Sequence, residues 1–156
     1  MMTEDQTALY DFERVIENAV KAVIVAEGMD AFNSYDPPGF QSRRPRVDIM
    51  LTVGAGQKRF HKLTDKNVEA AWKGLLRFDV ITGADMTVHS TFRARVRAAA
   101  HHMQVNGDAL IQHNLQFFTE SSTSPTFAPE DGTFQSVLLF DIDFSIQADA
   151  WAVFST

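Results

Sequence analysis

The sequence predicts an α+β fold: two helices packed on a mainly antiparallel sheet of four or slightly more strands, in the order helix-strand-strand-helix-strand-strand. Three observations carry this. Over residues 134–146, Phe134, Ser136, Leu138, Phe140, Ile142, Phe144 and Ile146 alternate with Gln135, Val137, Leu139, Asp141, Asp143 and Ser145, the pattern of a long strand with one apolar face. Two other stretches repeat apolar residues at i, i+3, i+4 spacing, the stripe of an amphipathic helix. Finally, 156 residues, 45% hydrophobic and 22% charged, suit a single domain over residues 1–156 with one core. Helices lying on the apolar face of the strand satisfy all three.

Taken in order, Thr3 caps a first helix that runs to about Glu27; Gln6 completes a capping-box pattern and Gly28 ends it. Phe12, Val15, Ile16, Ala19, Val20, Val23 and Ile24 form its apolar stripe, and Glu13, Arg14, Glu17, Asn18 and Lys21 on the other face read as solvated. Residues 30–46 lose all periodicity and read as a long loop. Val47, Ile49, Leu51 and Val53 alternate with Asp48, Met50 and Thr52 to give a first strand, followed by polar residues 57–66. A second strand over 71–82 puts Trp72, Leu76, Phe78 and Val80 on one face and Lys73, Leu75, Arg77, Asp79 and Ile81 on the other, placed to pair antiparallel with the first.

Asp85 or Thr87 caps a second helix lasting to about Met103, with Val88, Phe92, Val96, Ala99, Ala100 and Met103 as its stripe. Arg93, Arg95 and Arg97 take the remaining faces, and His101-His102 closes the helix where cations favour its dipole. Residues 109–114 make a helical turn, 115–121 a third strand, and 121–133 a second long loop leading into the strand at 134–146.

Composition excludes several function classes. With no cysteine there are no disulfides, thiolate zinc sites or cysteine nucleophiles. Glu4, Asp5, Asp11 and Glu13 stand where a signal peptide needs basic residues, and no apolar run approaches the roughly 20 residues of a membrane span, so a soluble protein is expected. A net charge of -6 opposes general nucleic-acid binding, which draws on Lys and Arg. Phe is used 13 times against 2 Tyr and 2 Trp, rings for a core or for subunit interfaces.

Candidate chemistry is sparse. Asp141 and Asp143 share a strand face, the geometry of an open oxygen site for a divalent cation, but no spacing supplies further ligands; Glu130 and Asp131 lie in a loop. His61, His89, His101, His102 and His113 follow no metal-binding spacing and read as ordinary surface or partly buried histidines. No nucleophile elbow surrounds the serines at 121–124, and Gly54-Ala-Gly56 with Lys58 lacks the full phosphate-loop pattern. No cofactor is expected. Arg43, Arg44 and Arg46, beside Phe40 and near Tyr35, have the composition of interface anchors. A small metal-dependent hydrolase built on the aspartates and a histidine is the rival reading from another class.

The layout resembles the phage tail terminator and tail-completion (head-tail joining) proteins. A helix precedes a hairpin, a helix beginning near MTVHSTFRARVRAAA crosses the sheet, and LQFFTESSTSPTFAPEDGTFQSVLLFDIDFSIQADAW gives strand, long loop and final strand. The resemblance implies a structural virion protein, present in the host cytoplasm during assembly, that caps the tail tube and joins it to the head. It implies no catalytic residues. The implied partners are further copies of itself in a ring, a hexamer by expectation, together with the tail tube protein and head or neck connectors. DNA passes through without specific binding, and no membrane is involved. Extended loops would reach neighbouring subunits, which makes Tyr35, Phe40, Arg43, Arg44, Arg46, Phe127, Glu130 and Asp131 the candidate assembly interface. Asp141 and Asp143 would face the channel and repel DNA. The long 30–46 loop departs from the family's pattern and leaves a connector or minor tail role of the same fold as the alternative.

Overall fold

The computed structural model describes residues 11–37, 39, 43–53, 59–62, 68–106, 115–123, 126–128 and 132–147. In chain order the elements are α1 (Phe12–Ala26), β1 (Ala31–Asn33), β2 (Arg46–Val53), β3 (Arg59–Lys62), β4 (Val68–Gly83), α2 (Met86–Asn106), β5 (Leu115–Thr123) and β6 (Thr133–Gln147). The Thr3 and Gln6 capping pattern and the turn expected at 109–114 lie outside the described residues.

The strands form one six-stranded sheet in the order β1-β2-β4-β6-β5, with β3 added on the first residues of β4. All pairings are antiparallel except β1 with β2. The α+β class and the mainly antiparallel sheet are as expected; six strands stand where four or slightly more were expected, and four of them rather than two lie between the helices. β4 and β6 are its spine, paired from Glu69 with Gln147 to Gly83 with Thr133. The alternation of β6 sets its two faces: Ser136, Leu138, Phe140 and Ile142 are at most 1% exposed, while Gln135, Val137, Leu139 and Asp141 point the other way.

Both helices lie on the first face. Ile16, Val20 and Ile24 of α1 join Val47, Ile49 and Leu51 of β2; Phe92, Val96, Ala99, Ala100 and Met103 of α2 join Leu76, Phe78 and Val80 of β4 and the β6 residues in one core. Phe78 and Phe140 meet edge to face with centroids 5.5 Å apart at its centre. Gly74 lets β4 pass here, since a Cβ would sit 3.1 Å from Leu51 Cδ1 and 3.2 Å from the Thr52 carbonyl oxygen. Gly28 ends α1 in the left-handed conformation, φ 82°, as its position suggested.

Five expectations are corrected. The 30–46 segment is not loop throughout: it holds β1, too short for a periodic signal, and the turn after it packs on α1. The polar stretch after β2 contains β3, whose residues carry no alternation to reveal it. The 121–133 segment is likewise not all loop, because β5 runs to Thr123 and Phe127 bridges to Gln135. In α2 the buried stripe begins with His89, whereas Val88 is 47% exposed; helical spacing back from Phe92 and Val96 lands on 89. Asp85 does cap this helix, accepting from the Thr87 and Val88 N–H groups, but the helix continues past His101-His102 to Asn106.

Phe140→Ala is expected to destabilise the protein by about 3–5 kcal/mol, because the cavity opens in the core where the ring meets Phe78 of the other spine strand and His101 of α2. Denaturant unfolding should show a lower midpoint with an unchanged slope.

Candidate functional site

Beyond a first row in which Arg46 and Ile81 are buried, no described element covers the second face of the sheet, and its residues follow from the strand registers. Across β2, β4 and β6 they form rows: Arg46, Ile81 and Gln135; then Asp48, Asp79 and Val137; then Met50, Arg77 and Leu139; then Thr52, Leu75 and Asp141. Phe127 extends the first row, because its paired backbone bonds with Gln135, 2.9 and 2.8 Å, put the two residues on one face. Phe127 and Met50 are 43% and 50% exposed, and Leu75, Val137 and Leu139 are half-buried among them.

Charge on this face is paired along the strands. Arg46 Nε lies 3.0 Å from Asp48 Oδ1, and Arg77 Nε lies 3.1 Å from both oxygens of Asp79. Asp48 and Asp79 are directly opposite each other, and Gln135 Nε2 donates to Asp79 at 3.4 Å. Burial pushes the Asp48 carboxyl above its ordinary value, with Asp79 adding to the push and Arg46 opposing it.

The expected interface residues divide. Phe127 lies on this face. Arg46 does not stand in a loop but opens β2 and is only 7% exposed, with its Nη1 donating to the Arg43 carbonyl, so it is a buried brace. Arg43 is exposed, 3.8 Å from Asp30 and 6.0 Å from the centre of the Phe32 ring. Arg44 donates to the Arg43 carbonyl at 2.8 Å. Tyr35 is 47% exposed on the turn after β1. Phe40, Glu130 and Asp131 lie outside the described residues. Asp141 is exposed on the uncovered face, and the register places Asp143 two residues further along it, opposite Lys73.

The Tyr35 turn is fastened by groups that read as solvated in the sequence. Glu17 is 2% exposed: its Oε1 accepts from the Ser34 hydroxyl at 2.8 Å and N–H at 3.3 Å, and its Oε2 from the Leu51 N–H at 3.1 Å, where β1 no longer pairs with β2. Asn18 accepts from the Asn33 side chain, and Lys21 pairs with Asp36 at 2.6 Å. Burial pushes the Asp36 carboxyl up, but Lys21 and the Asn33 N–H outweigh it and hold the group below its ordinary value.

Sequence reasoning also missed a buried polar chain on the helix side. His89 is fully buried, with Thr82 Oγ1 2.8 Å from Nδ1 and Ser136 Oγ 2.8 Å from Nε2. Ser136 lies 3.0 Å from Thr126 Oγ1, to which Arg93 Nη1 donates at 3.0 Å. The signal was present: Ser136 is the one polar residue on the described apolar face of β6. Further along α2, Arg97 and His101 share the Glu120 carboxylate of β5. Among the described residues no three His, Asp or Glu side chains converge as a metal site, and no helix is long and apolar enough to cross a membrane.

Glu17→Gln is expected to cost about 1–3 kcal/mol, since an amide supplies one acceptor where two are used and points a donor at a buried N–H. Faster hydrogen exchange at the Leu51 and Ser34 amides would locate the loss.

No protein-family model matches the chain, and no curated protein sequence matches it. Among solved structures it is similar to a chain in the virion of a native gene transfer agent particle, with 18% identity over 90% of this chain and 93% of that one, TM-score 0.45. It is also similar to the gp17 protein of bacteriophage SPP1, with 15% identity over 92% of each chain, TM-score 0.39.

Proposed function

We propose that the chain is a structural virion protein that caps a phage tail tube and joins it to the head, assembling as a ring of copies of itself. The observation that carries this reading is the sheet face that no described element covers. It sets exposed Phe127 and Met50 and half-buried Leu75, Val137 and Leu139 among charges that already pair with one another, the composition of a surface that meets protein. The element order of the resemblance, a helix before a hairpin and a helix crossing to a final long strand, agrees with it. The partners are neighbouring copies, six by expectation, with the tail tube protein on one side and a neck connector on the other. Asp141 and Asp143 mark the end of the face turned to a channel, where carboxylates let DNA pass without sticking.

Light scattering over a range of concentrations tests the assembly. Ring-sized masses, multiples of the 17.5 kDa chain, are expected either alone or on addition of tail tubes, and a monomer that binds no tube overturns the reading. Phe127→Asp together with Val137→Lys should return the protein to monomer with its circular dichroism unchanged. In assembled particles, neutralising Asp141 and Asp143 should slow genome ejection; unaltered ejection would remove their channel role.

A further inference from the structure

Beside the end of α1 the helix layer is open. A groove of about 330 Å³ lies between α1 and α2, lined by Glu27, Met29, Arg95, Ala98, Ala99 and His102. Its floor is apolar, with Met29 and Ala99 both buried. Arg95, Ala98 and His102 are exposed and fall at i, i+3 and i+7 on one stripe of α2, so two basic side chains flank an alanine too small to fill the space between them. Arg95 Nη2 donates to the Glu27 carbonyl at 2.8 Å, which holds the guanidinium at the rim. Glu27 makes the wall on the α1 side.

We infer that this groove receives Phe127 of a second copy of the chain. Phe127 is 43% exposed on the second face, and the aromatic anchors of protein interfaces sit in pockets. The part of the chain that presents it is acidic. Pro129, Glu130 and Asp131 follow Phe127 in the sequence, no Lys or Arg occurs after Arg97, and the residues beyond Arg97 include seven Asp and Glu. Such a segment meets the α2 wall, where Arg95 and His102 stand, with the guanidinium placed to take the ring face or the carboxylates that follow it. Glu27 is the one like charge in the lining.

The two surfaces lie on opposite sides of the sheet. Thr126 reaches the helix side, where its Oγ1 is 3.0 Å from Ser136 Oγ, so Phe127 beside it points to the other. A copy therefore cannot seat its own Phe127 in its own groove, because the sheet stands between them. Contact between unlike patches is heterologous: each copy offers its groove to one neighbour and its Phe127 to the other, and repetition closes a ring where the rotation allows. The inference rests on the assembly reading and adds to it the surface that the second face meets.

The chain has no cysteine, so single thiols report on single positions. Ala128→Cys places one beside Phe127 and Ala98→Cys places one in the groove, both at exposed residues. The two variants are mixed, assembled alone or on tail tubes, and treated with a short bismaleimide. A covalent dimer of twice the 17.5 kDa chain should form in the mixture and in neither variant by itself. Adding Phe127→Ala to the Ala128→Cys chain should lower the yield about tenfold, the loss of one anchoring ring. In the Ala98→Cys chain, Arg95→Glu should lower the yield and Glu27→Gln should raise it. Ring-sized particles without the mixed dimer, or with a yield that none of these substitutions moves, overturn the inference and leave the assembly reading standing. A monomer that binds no tube overturns both.

Discussion

Between Glu69 and Gly83 every residue of β4 faces a partner in β6, and this pairing fixes what the rest of the molecule can do. Side chains alternate along both strands, so one register commits Leu76, Phe78 and Val80 to the same side as Phe140, Leu138 and Ser136. A slip of one residue would put either Arg77 and Asp79 of β4 or Asp141 of β6 under the helices. Because β2 and β5 pair outward from this spine, they inherit its faces: Ile49 arrives beside Phe78, and Glu120 arrives beside Phe140 within reach of Arg97 and His101. Helix placement follows, since both apolar stripes have a single apolar surface on which to lie.

Polar groups appear inside this arrangement where the regular ladders stop. β1 pairs with β2 only as far as Ile49, leaving the Leu51 N–H facing α1, and the Glu17 carboxylate takes it. At the other end of the sheet Thr82 and Ser136 bring hydroxyls to the helix side, and His89 links both. Each is a side chain from a helix completing the hydrogen bonding of the sheet or its connections. A buried donor without a partner costs more than an ordinary bond contributes, which makes these positions intolerant of substitution despite their polarity.

This also explains what the sequence disclosed. Long periodic segments were legible: the end of the first helix, the second helix, the 47–53 and 71–82 strands and the 134–146 strand stand within a few residues of their observed bounds, because each carries a repeated choice between core and water. β1 and β3 were not, being too short to repeat a pattern. Glu17 and Lys21 looked solvated because helical spacing places them off the apolar stripe; what buries Glu17 is the turn at 33–36, brought there by a strand the periodicity did not reveal. Arg46 misled for the opposite reason. Its neighbours Arg43 and Arg44 belong to an irregular segment, yet Arg46 pairs with Asp48 two residues along a strand, a contact visible only once the strand is known to begin at 46. Of the candidate interface, Phe127 is placed on the uncovered face by a single bridge between non-adjacent segments, which no local spacing encodes.

The uncovered face is not simply a solvated one. Directly opposed like charges destabilise a sheet, yet Asp48 faces Asp79, and burial already pushes Asp48 toward its neutral form. The arrangement holds because each carboxylate has an arginine two residues along its own strand, Arg46 and Arg77. Charges satisfied within one surface lose less when another surface covers them than charges that relied on water. The rows containing Phe127, Val137, Leu139 and Met50 can therefore be covered at modest electrostatic cost, with their apolar area contributing the gain. Asp141 differs: it is exposed and has no ion pair among the described residues, so covering it would cost the full loss of its hydration. Under the assembly reading this divides the face physically, with the Phe127 end suited to contact and the Asp141 end suited to open water.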